Sequence, residues 1–268
     1  MNACDGHHHE DVGTELADGD RLRDWAGQAT AHDLRQNTYG GFLTKHDIRN
    51  DPAYPISEAA RYVRLSPATL RSWFLGRPYP TAKGVSEFAP VLKPARREPP
   101  TLSFSNLVEA HVLRSLRTEH GVPLKAVRDA LRYAERALGI EQLLLRGELR
   151  TSGGDLFLDR YGELVNLSAS GQLAMRRIFE NHLERVEFGE LHSAVRLYPF
   201  VLAERADEKP ILIDPRISFG RPVVGKAFVS TRSILERIDA GETVDDVARD
   251  YELTAEAIGE AVVFERAA

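Results

Sequence analysis

Residues 66–74 read Ser-Pro-Ala-Thr-Leu-Arg-Ser-Trp-Phe, a stretch in which hydroxyl and guanidinium groups alternate with apolar side chains. Ser66 is a favourable N-cap and a further candidate for DNA contact, and Pro67 suits the first position of a helix, where its missing N–H costs nothing. Leu70 and Trp73 would form the buried face of this helix. The outward side chains are of types that contact base edges and phosphates, namely Ala68, Thr69, Arg71 and Ser72.

A second apolar stripe precedes this helix, with Ile56, Ala59, Ala60 and Val63 at helical spacing. Two short helices that join through a tight turn, with a small alanine at their crossing, predict a helix-turn-helix. Its second helix would lie in the major groove of DNA. The same pattern also fits a compact helical hairpin within a core.

The distribution of charge favours a DNA-binding role for this helix pair. The whole chain carries a net charge of −5, but residues 55–150 contain 16 basic and 9 acidic residues. The segments 1–54, 151–210 and 211–268 each have more acidic than basic residues. Because phosphate contact depends on local positive charge, only the segment with the helix-turn-helix suits a nucleic acid. A solvated basic face without a partner is the alternative.

Composition sets further bounds. The 268 residues are enough for two domains, and the 43% hydrophobic and 28% charged residues are ordinary for a globular protein. No apolar run approaches a membrane span, and the first ten residues lack the pattern of a secretory signal. Cys4 is the single cysteine, which excludes an internal disulfide and a cysteine-rich zinc site. We therefore expect a cytoplasmic protein.

Residues 75–104 are rich in proline and glycine, which argues against a helix. The runs 88–94 and 101–104 are predicted to be two short strands of a wing. Basic residues that would grip the DNA backbone are Arg64 beside the turn and Arg77, Lys83, Lys93, Arg96 and Arg97 on the wing. Ordinary solubilising loop charge is the alternative.

Two helices are predicted to follow, the first capped by Ser105 and ended by Gly121, the second opened by Pro123 and closed by Gly139. Residues 55–138 as a whole resemble the DNA-binding domain of the MerR family, a winged helix-turn-helix. The matching stretches are Ile56-Ser-Glu-Ala-Ala, Ser66-Pro-Ala-Thr-Leu-Arg, 107–116 and 121–131.

The MerR resemblance implies that the helix with Thr69 and Arg71 enters the major groove while the wing contacts the backbone. Two features depart from the family. The recognition helix ends Ser72-Trp-Phe-Leu instead of in an aromatic-rich, acidic run, and no long coiled-coil helix follows residue 138. The family's dimerisation and torsional activation are therefore not carried over.

Residues 141–210 are predicted to be a small α+β unit for connection or partner contact. Strands are expected within 143–167, including a hairpin around Arg160-Tyr-Gly, and again from Val195. An amphipathic helix is expected between them, from Gln172 to Phe188.

Residues 211–268 are predicted to hold two short strands and three helices, at 231–240, 244–251 and 255–266. Thr243 with Asp246 resembles a capping box. The last two helices again have the pattern of a helix-turn-helix. Its second helix would present Glu256 and Glu260, which repel phosphates, so dimerisation or partner contact fits this module better than DNA.

This tail resembles the small trihelical domain of unknown function in bacterial VapB-like antitoxins. The diagnostic runs are 214–224, Asp-Pro-Arg-Ile-Ser-Phe-Gly-Arg-Pro-Val-Val, and 234–251. A MerR-like head before this tail resembles the architecture of a VapB-type antitoxin subgroup over nearly the whole chain, apart from the first 50 residues. The resemblance implies a PIN-like toxin ribonuclease as partner and repression of the shared operon.

Catalytic and metal-binding patterns are not found in the sequence. No dinucleotide, phosphate-loop or zinc-protease motif occurs, and the histidines outside the first ten residues are scattered. His7, His8 and His9 lie in an Asp-, Gly- and His-rich stretch that reads as a flexible arm over 1–50. We expect no enzyme, no metal and no cofactor.

The sequence thus predicts a mainly α protein with small β elements. Its parts are an arm (1–50), a winged helix-turn-helix (51–140), an α+β unit (141–210) and a trihelical module (211–268). The leading hypothesis is an autorepressing antitoxin that forms a homodimer or higher oligomer, with double-stranded operator DNA and a toxin nuclease as partners. A stand-alone regulator with a small effector is the alternative, and a scaffold that does not bind DNA is a third class.

Overall fold

A computed structural model describes residues 46–82, 84–117, 123–166, 168–190, 192–199 and 209–267. Within these ranges the chain is mainly helical, with small antiparallel sheets. Most of the predicted arm, including Cys4 and His7–His9, lies outside the described residues. Its last residues are ordered: Asp47 caps a short 3-10 turn over Ile48–Asn50.

The predicted helix-turn-helix is present. Strand β1 (Tyr54–Pro55) leads into helix α1 (Ile56–Tyr62), and helix α2 (Pro67–Leu75) follows after a four-residue turn. The residues expected to be apolar contacts are all buried, namely Ile56, Ala59, Ala60, Val63, Leu70 and Trp73. Burial of both stripes against the same core fixes the angle between the two helices.

The predicted strands of the wing were misplaced. The hairpin consists of β2 (Arg77–Thr81) and β3 (Gly84–Phe88), whereas β4 (Thr101–Leu102) pairs with β1. Residues 91–94 form no strand. Pro78 and Pro80 argued against a strand, but they are two residues apart, so both can occupy positions whose N–H the ladder does not use.

Helices α3 (Phe104–Arg117) and α4 (Leu124–Leu138) occupy the predicted segments, while the expected end of the first at Gly121 lies outside the described residues. The cap of α3 is Ser103 and not Ser105, because the Ser103 hydroxyl accepts the N–H of Asn106 at 3.2 Å. Gly139 ends α4 in the left-handed conformation, as expected.

The strands predicted within 143–167 were wrong. Two 3-10 turns (Leu143–Leu145 and Gly147–Arg150) precede helix α5 (Ser152–Val165), so the hairpin at Arg160-Tyr-Gly does not exist. Gly153 and Gly154 serve close packing instead of a turn: a Cβ at Gly154 would lie 2.1 Å from the Leu149 carbonyl oxygen.

The next predicted helix is shifted. Helix α6 spans Ala169–Leu183 and ends before Phe188, because Val186–Phe188 form strand β5, which pairs with β6 (Ala194–Leu197). An isolated bridge between Leu197 and Ile213 then connects this part of the chain to the C-terminal residues.

The C-terminal segment has the predicted elements. A three-stranded sheet, β7 (Ile211–Leu212), β8 (Val223–Val224) and β9 (Val229–Ser230), precedes helices α7 (Thr231–Asp239), α8 (Val244–Asp250) and α9 (Ala255–Arg266). The Thr243 hydroxyl caps α8 by accepting the N–H of Asp246 at 3.1 Å.

Buried apolar residues from the helices and from most of the strands belong to one continuous cluster, which extends from Tyr54 to Phe264. Among the described helices, none is long and apolar enough to cross a membrane.

Candidate DNA-binding surface

The turn between α1 and α2 has a defined geometry. Arg64 adopts a left-handed φ of 55°, and the Leu65 N–H donates to the Ala60 carbonyl at 2.9 Å. The Ser66 hydroxyl then accepts the N–H of Thr69 at 3.2 Å, which starts α2. These bonds hold α2 in one orientation on α1, as a helix that enters a groove requires.

Helix α2 is amphipathic. Leu70, Trp73 and Phe74 are fully buried, whereas Ala68 and Arg71 are exposed. Within the described part of the chain, no carboxylate forms an ion pair with Arg71. Its guanidinium is therefore available to a phosphate or a guanine edge.

The other two predicted contacts on α2 are half-buried. Thr69 Oγ1 accepts a bond from the Ser66 hydroxyl at 2.8 Å, and the Ser72 hydroxyl donates to the Thr69 carbonyl at 2.7 Å. Because these hydroxyls make hydrogen bonds within α2 and its cap, the side chains best placed to touch DNA are Ala68 and Arg71.

A depression of about 340 Å³ lies in front of α2. It is lined by Pro67, Ala68 and Arg71 of α2 and by residues from two other places in the chain, Ile56 and Ser57 at the start of α1 and Pro100. Sequence analysis missed Ser57 and Pro100, because only the fold brings them beside α2. Ser57 lies in the first turn of α1, where backbone N–H groups favour anions.

The β2–β3 hairpin projects next to α2. Every residue of β2 is exposed, including Arg77, and Val85 at the tip is 81% exposed. Lys83 lies outside the described residues. The base of the hairpin is fixed, because Val91 and Leu92 donate their N–H groups to the Trp73 carbonyl at 2.8 and 3.0 Å.

The basic residues after the hairpin are held by Asn106 on α3. Its Oδ1 accepts the Ala95 N–H at 2.9 Å, and its Nδ2 donates to the Lys93 carbonyl and to Glu109 Oε2, both at 2.9 Å. Burial raises the pKa of Glu109 to about 7. This network leaves Lys93, Arg96 and Arg97 exposed on an ordered loop.

Arg64, also predicted to contact DNA, points elsewhere. Its guanidinium lies 5.9 Å from the centre of the Phe264 ring on α9. Burial lowers the pKa of Arg64, and nearby Glu260 opposes that shift. Arg64 therefore belongs to the contact between the helix-turn-helix and the last helix, outside the surface around Arg71.

Helices α8 and α9 form a second helix-turn-helix of the same local geometry. Glu252 takes the place of Arg64 with a φ of 53°, and the Leu253 N–H donates to the Ala248 carbonyl at 2.9 Å. Thr254 caps α9 through the N–H of Ala257 at 3.2 Å. The second turn thus reproduces the first, although its helix carries different side chains.

The second helix-turn-helix uses part of its helix face for protein contact. Glu260 is only 4% exposed, which corrects the expectation that it faces outward, whereas Glu256 is exposed. Phe264 is fully buried and stacks on Tyr62 of α1 with ring centres 6.0 Å apart. A helix buried in this way offers less surface to a DNA groove than α2 does.

Polar bonds reinforce the contact between α1 and α9. Glu265 forms an ion pair with Arg61 at 3.1 Å and accepts the Thr231 hydroxyl at 2.6 Å. One turn earlier on the same face of α1, Glu58 pairs with Arg221 at 2.7 Å. The C-terminal segment therefore packs against α1 and stabilises the position of the first helix-turn-helix.

Comparisons with known proteins agree with this arrangement. Residues 52–131 match a family described as "Putative DNA-binding HTH domain", and residues 211–264 match "Protein of unknown function (DUF433)". The head of the chain is thus similar to a helix-turn-helix family, and the C-terminal segment is similar to a family without an assigned activity.

A curated sequence and a solved structure, both from Mycobacterium tuberculosis, are similar to most of the chain. "Putative antitoxin VapB45" of Mycobacterium tuberculosis (strain ATCC 25618 / H37Rv) is 29% identical over 237 residues, which cover 81% of this chain and 95% of that protein. The crystal structure of Rv2018 from Mycobacterium tuberculosis shares the fold with a TM-score of 0.59 and 24% identity. That match covers 79% of this chain and 98% of the other.

Proposed function

We propose that this protein is a DNA-binding antitoxin of a type II toxin–antitoxin system. It would repress its own operon and neutralise a PIN-like toxin ribonuclease, without catalysis of its own. The observation that supports DNA binding most strongly is the shared depression of Ser57, Ala68 and Arg71 beside an exposed hairpin. The antitoxin role is supported by the similarity to VapB45 over most of both chains.

In this proposal the head acts as a MerR-like winged helix-turn-helix. Helix α2 lies in the major groove, while the hairpin and the loop with Lys93, Arg96 and Arg97 follow the backbone. The three C-terminal helices serve as a trihelical, antitoxin-associated module. A cytoplasmic homodimer or higher oligomer would read an operator made of inverted repeats, because the symmetry of the site mirrors that of the protein.

The DNA-binding half is tested by fluorescence anisotropy on the DNA upstream of its own gene. Arg71→Ala should weaken specific binding about 10-fold or more, since a good arginine contact to a base discriminates by roughly 1–3 kcal/mol. Arg150→Ala is the matched control, because Arg150 is an exposed arginine on the 3-10 turn Gly147–Arg150, outside the depression. Equal affinity of Arg71→Ala and the wild type would remove α2 from the DNA interface.

The toxin half is tested with the protein encoded by the neighbouring gene. The neighbouring gene's product should arrest growth when it is expressed alone, and co-expression of the protein described here should restore growth. The two purified proteins should form a complex that does not cleave RNA. A neighbouring protein that forms no complex, or that remains an active ribonuclease within it, would exclude the antitoxin role while leaving DNA binding in place.

A stand-alone regulator with a small effector is a second candidate, and one feature favours it. A cleft of about 850 Å³ lies between α4 and the loop after the hairpin. Lys93, Arg128 and Arg132 line it together with the buried Glu109. Arg128 also donates to the Ala89 carbonyl at 2.6 Å, so an anionic effector in the cleft would act on the base of the hairpin. Operator affinity that changes with such a compound, and not with a toxin, would favour this candidate.

A further inference from the structure

The loop between β7 and β8 exposes an aromatic ring that the fold does not use. Phe219 is 94% exposed, although phenylalanine is among the residues most often found in protein interiors. Exposing a large apolar side chain to water is unfavourable. No packing contact within the described residues therefore accounts for the ring at this position.

The backbone of the same loop is strained. Ser218, Phe219 and Gly220 have consecutive positive φ values of 47°, 53° and 75°. This conformation suits glycine, but an L-residue with a Cβ pays a steric cost in it. A glycine at position 219 would relieve both the strain and the exposure. Strained residues that persist in a fold are commonly associated with binding and switching sites.

The loop is nevertheless held rigidly. Tyr54, which is buried, donates its hydroxyl to the Gly220 carbonyl at 2.9 Å, and the Gly220 N–H donates to the Ile217 carbonyl at 2.8 Å. A Cβ at Gly220 would lie 2.2 Å from the Tyr54 hydroxyl oxygen, so only glycine permits this bond. The ring is therefore presented in one preorganised position, which lowers the entropy lost on binding.

The exposed charge beside the ring is that of Arg216. Its side chain is 62% exposed, whereas Asp214, with which its guanidinium pairs at 3.0 Å, is buried. The other arginine of the loop, Arg221, pairs with Glu58 at 2.7 Å. Asp214 is 1% exposed and accepts bonds from Arg196 at 2.9 Å and from the Arg216 backbone at 2.9 Å. Burial opposes ionisation of Asp214, but hydrogen bonds from Arg216 and Arg196 hold its pKa below the usual value. Its charge is thus compensated inside the loop.

We infer that this loop, residues 214–221, is the docking anchor for the toxin partner. The Phe219 ring would enter an apolar pocket of the toxin that is bordered by acidic residues, which complement Arg216. Rigid aromatic anchors in desolvated pockets carry much of the affinity of protein interfaces. The inference rests on the toxin partnership proposed above and assigns the binding surface on this chain.

A nucleic acid fits the loop less well than a protein. The loop presents one exposed arginine, Arg216, because Arg221 is paired with Glu58 at 2.7 Å, so it lacks the row of cations that contacts a phosphate backbone. The positive surface of the chain lies instead around Arg71 and the hairpin. An aromatic ring with a single neighbouring exposed arginine matches a protein pocket with a local acidic border.

The decisive variant is Phe219→Gly in the full chain. Because glycine suits the local φ, the variant should unfold at an unchanged or higher urea concentration. Its dissociation constant for the neighbouring gene's toxin should nevertheless rise about 30-fold or more, as expected for loss of an aromatic anchor. The affinity of the wild type should also fall as the NaCl concentration rises. Affinity for upstream DNA should stay unchanged.

Phe228→Gly is the matched control. Phe228 also has a positive φ, of 54°, and is 45% exposed in the adjacent turn. This variant should bind the toxin as tightly as the wild type. Equal losses in both variants would show that the effect is not specific to the anchor and would overturn the inference.

Other outcomes would also overturn it. A Phe219→Gly variant that binds the toxin normally leaves the antitoxin role intact and removes this loop from the interface. Loss of operator affinity alone would make the loop a DNA contact, and a change of oligomeric state alone would make its occupant a second copy of the chain. If the wild type binds no neighbouring toxin, the toxin partnership fails and the inference fails with it.

Discussion

Glu265 provides a quantitative test of how firmly the last helix is attached to the first helix-turn-helix. Its side chain is 2% exposed and is paired with Arg61, which is 20% exposed, while it also accepts the Thr231 hydroxyl. Glu265→Ala would leave a largely buried guanidinium without its carboxylate. Breaking a buried pair in this way costs about 3–5 kcal/mol. Because Arg61 is partly exposed, we expect the free energy of unfolding to fall by about 3 kcal/mol.

Urea unfolding followed by circular dichroism would measure this loss. Glu265→Gln keeps the shape and an acceptor for Thr231, so it should lose only about 1–2 kcal/mol. The surface pair Arg232–Glu236, exposed at 68% and 64%, is the control, and Glu236→Ala should change stability by less than about 0.5 kcal/mol. A loss below about 1 kcal/mol for Glu265→Ala would refute the claim that α9 braces α1 through this pair.

Three further predictions concern pH, the base of the hairpin and salt. Burial lowers the pKa of His182 to about 4, so the unfolded chain takes up a proton near pH 6.5 before the folded chain does, and stability falls as the pH decreases through this window. Between pH 7 and pH 5, the free energy of unfolding of the wild type should therefore fall by about 2 kcal/mol more than that of His182→Asn, as measured by urea unfolding. Gly76 has a φ of 76°, and a Cβ there would lie 2.5 Å from the Phe88 carbonyl, so Gly76→Ala should cost more than about 2 kcal/mol in the same assay. Arg77→Ala should weaken binding to all DNA sequences alike and reduce the slope of log affinity against log salt by about 1, whereas an unchanged slope would exclude a phosphate contact.

The helix-turn-helix could be predicted because its signals are local. Ser66 and Pro67 mark the start of α2 by their capping chemistry, and Ala59 and Ala60 mark the helix crossing by their size. The C-terminal helices were found for the same reason, since Thr243 and Thr254 cap them. Such signals depend on the nearest few residues and not on the rest of the fold.

The errors arose where a residue has two physical uses. Gly153 and Gly154 lie in the segment that was predicted to form strands, but they permit α5 to approach the preceding carbonyls closely. Glu260 looked like a surface carboxylate until α9 was seen to pack against α1. The exposure of Phe219 could not be predicted, because its loop is held by a hydrogen bond between Tyr54 and Gly220, which are 166 positions apart in the chain.

The most direct test of the account is which of the two similar helices touches DNA. Ala68 and Glu256 are each the second residue after the capping hydroxyl of their helix, and both are exposed. In a Cys4→Ser background, the Ala68→Cys and Glu256→Cys variants would each be incubated with upstream DNA that carries a thiol tether on a major-groove base. Disulfide cross-linking would then be measured. The account predicts a cross-link at position 68 and none at position 256. A cross-link at 256 alone would contradict it.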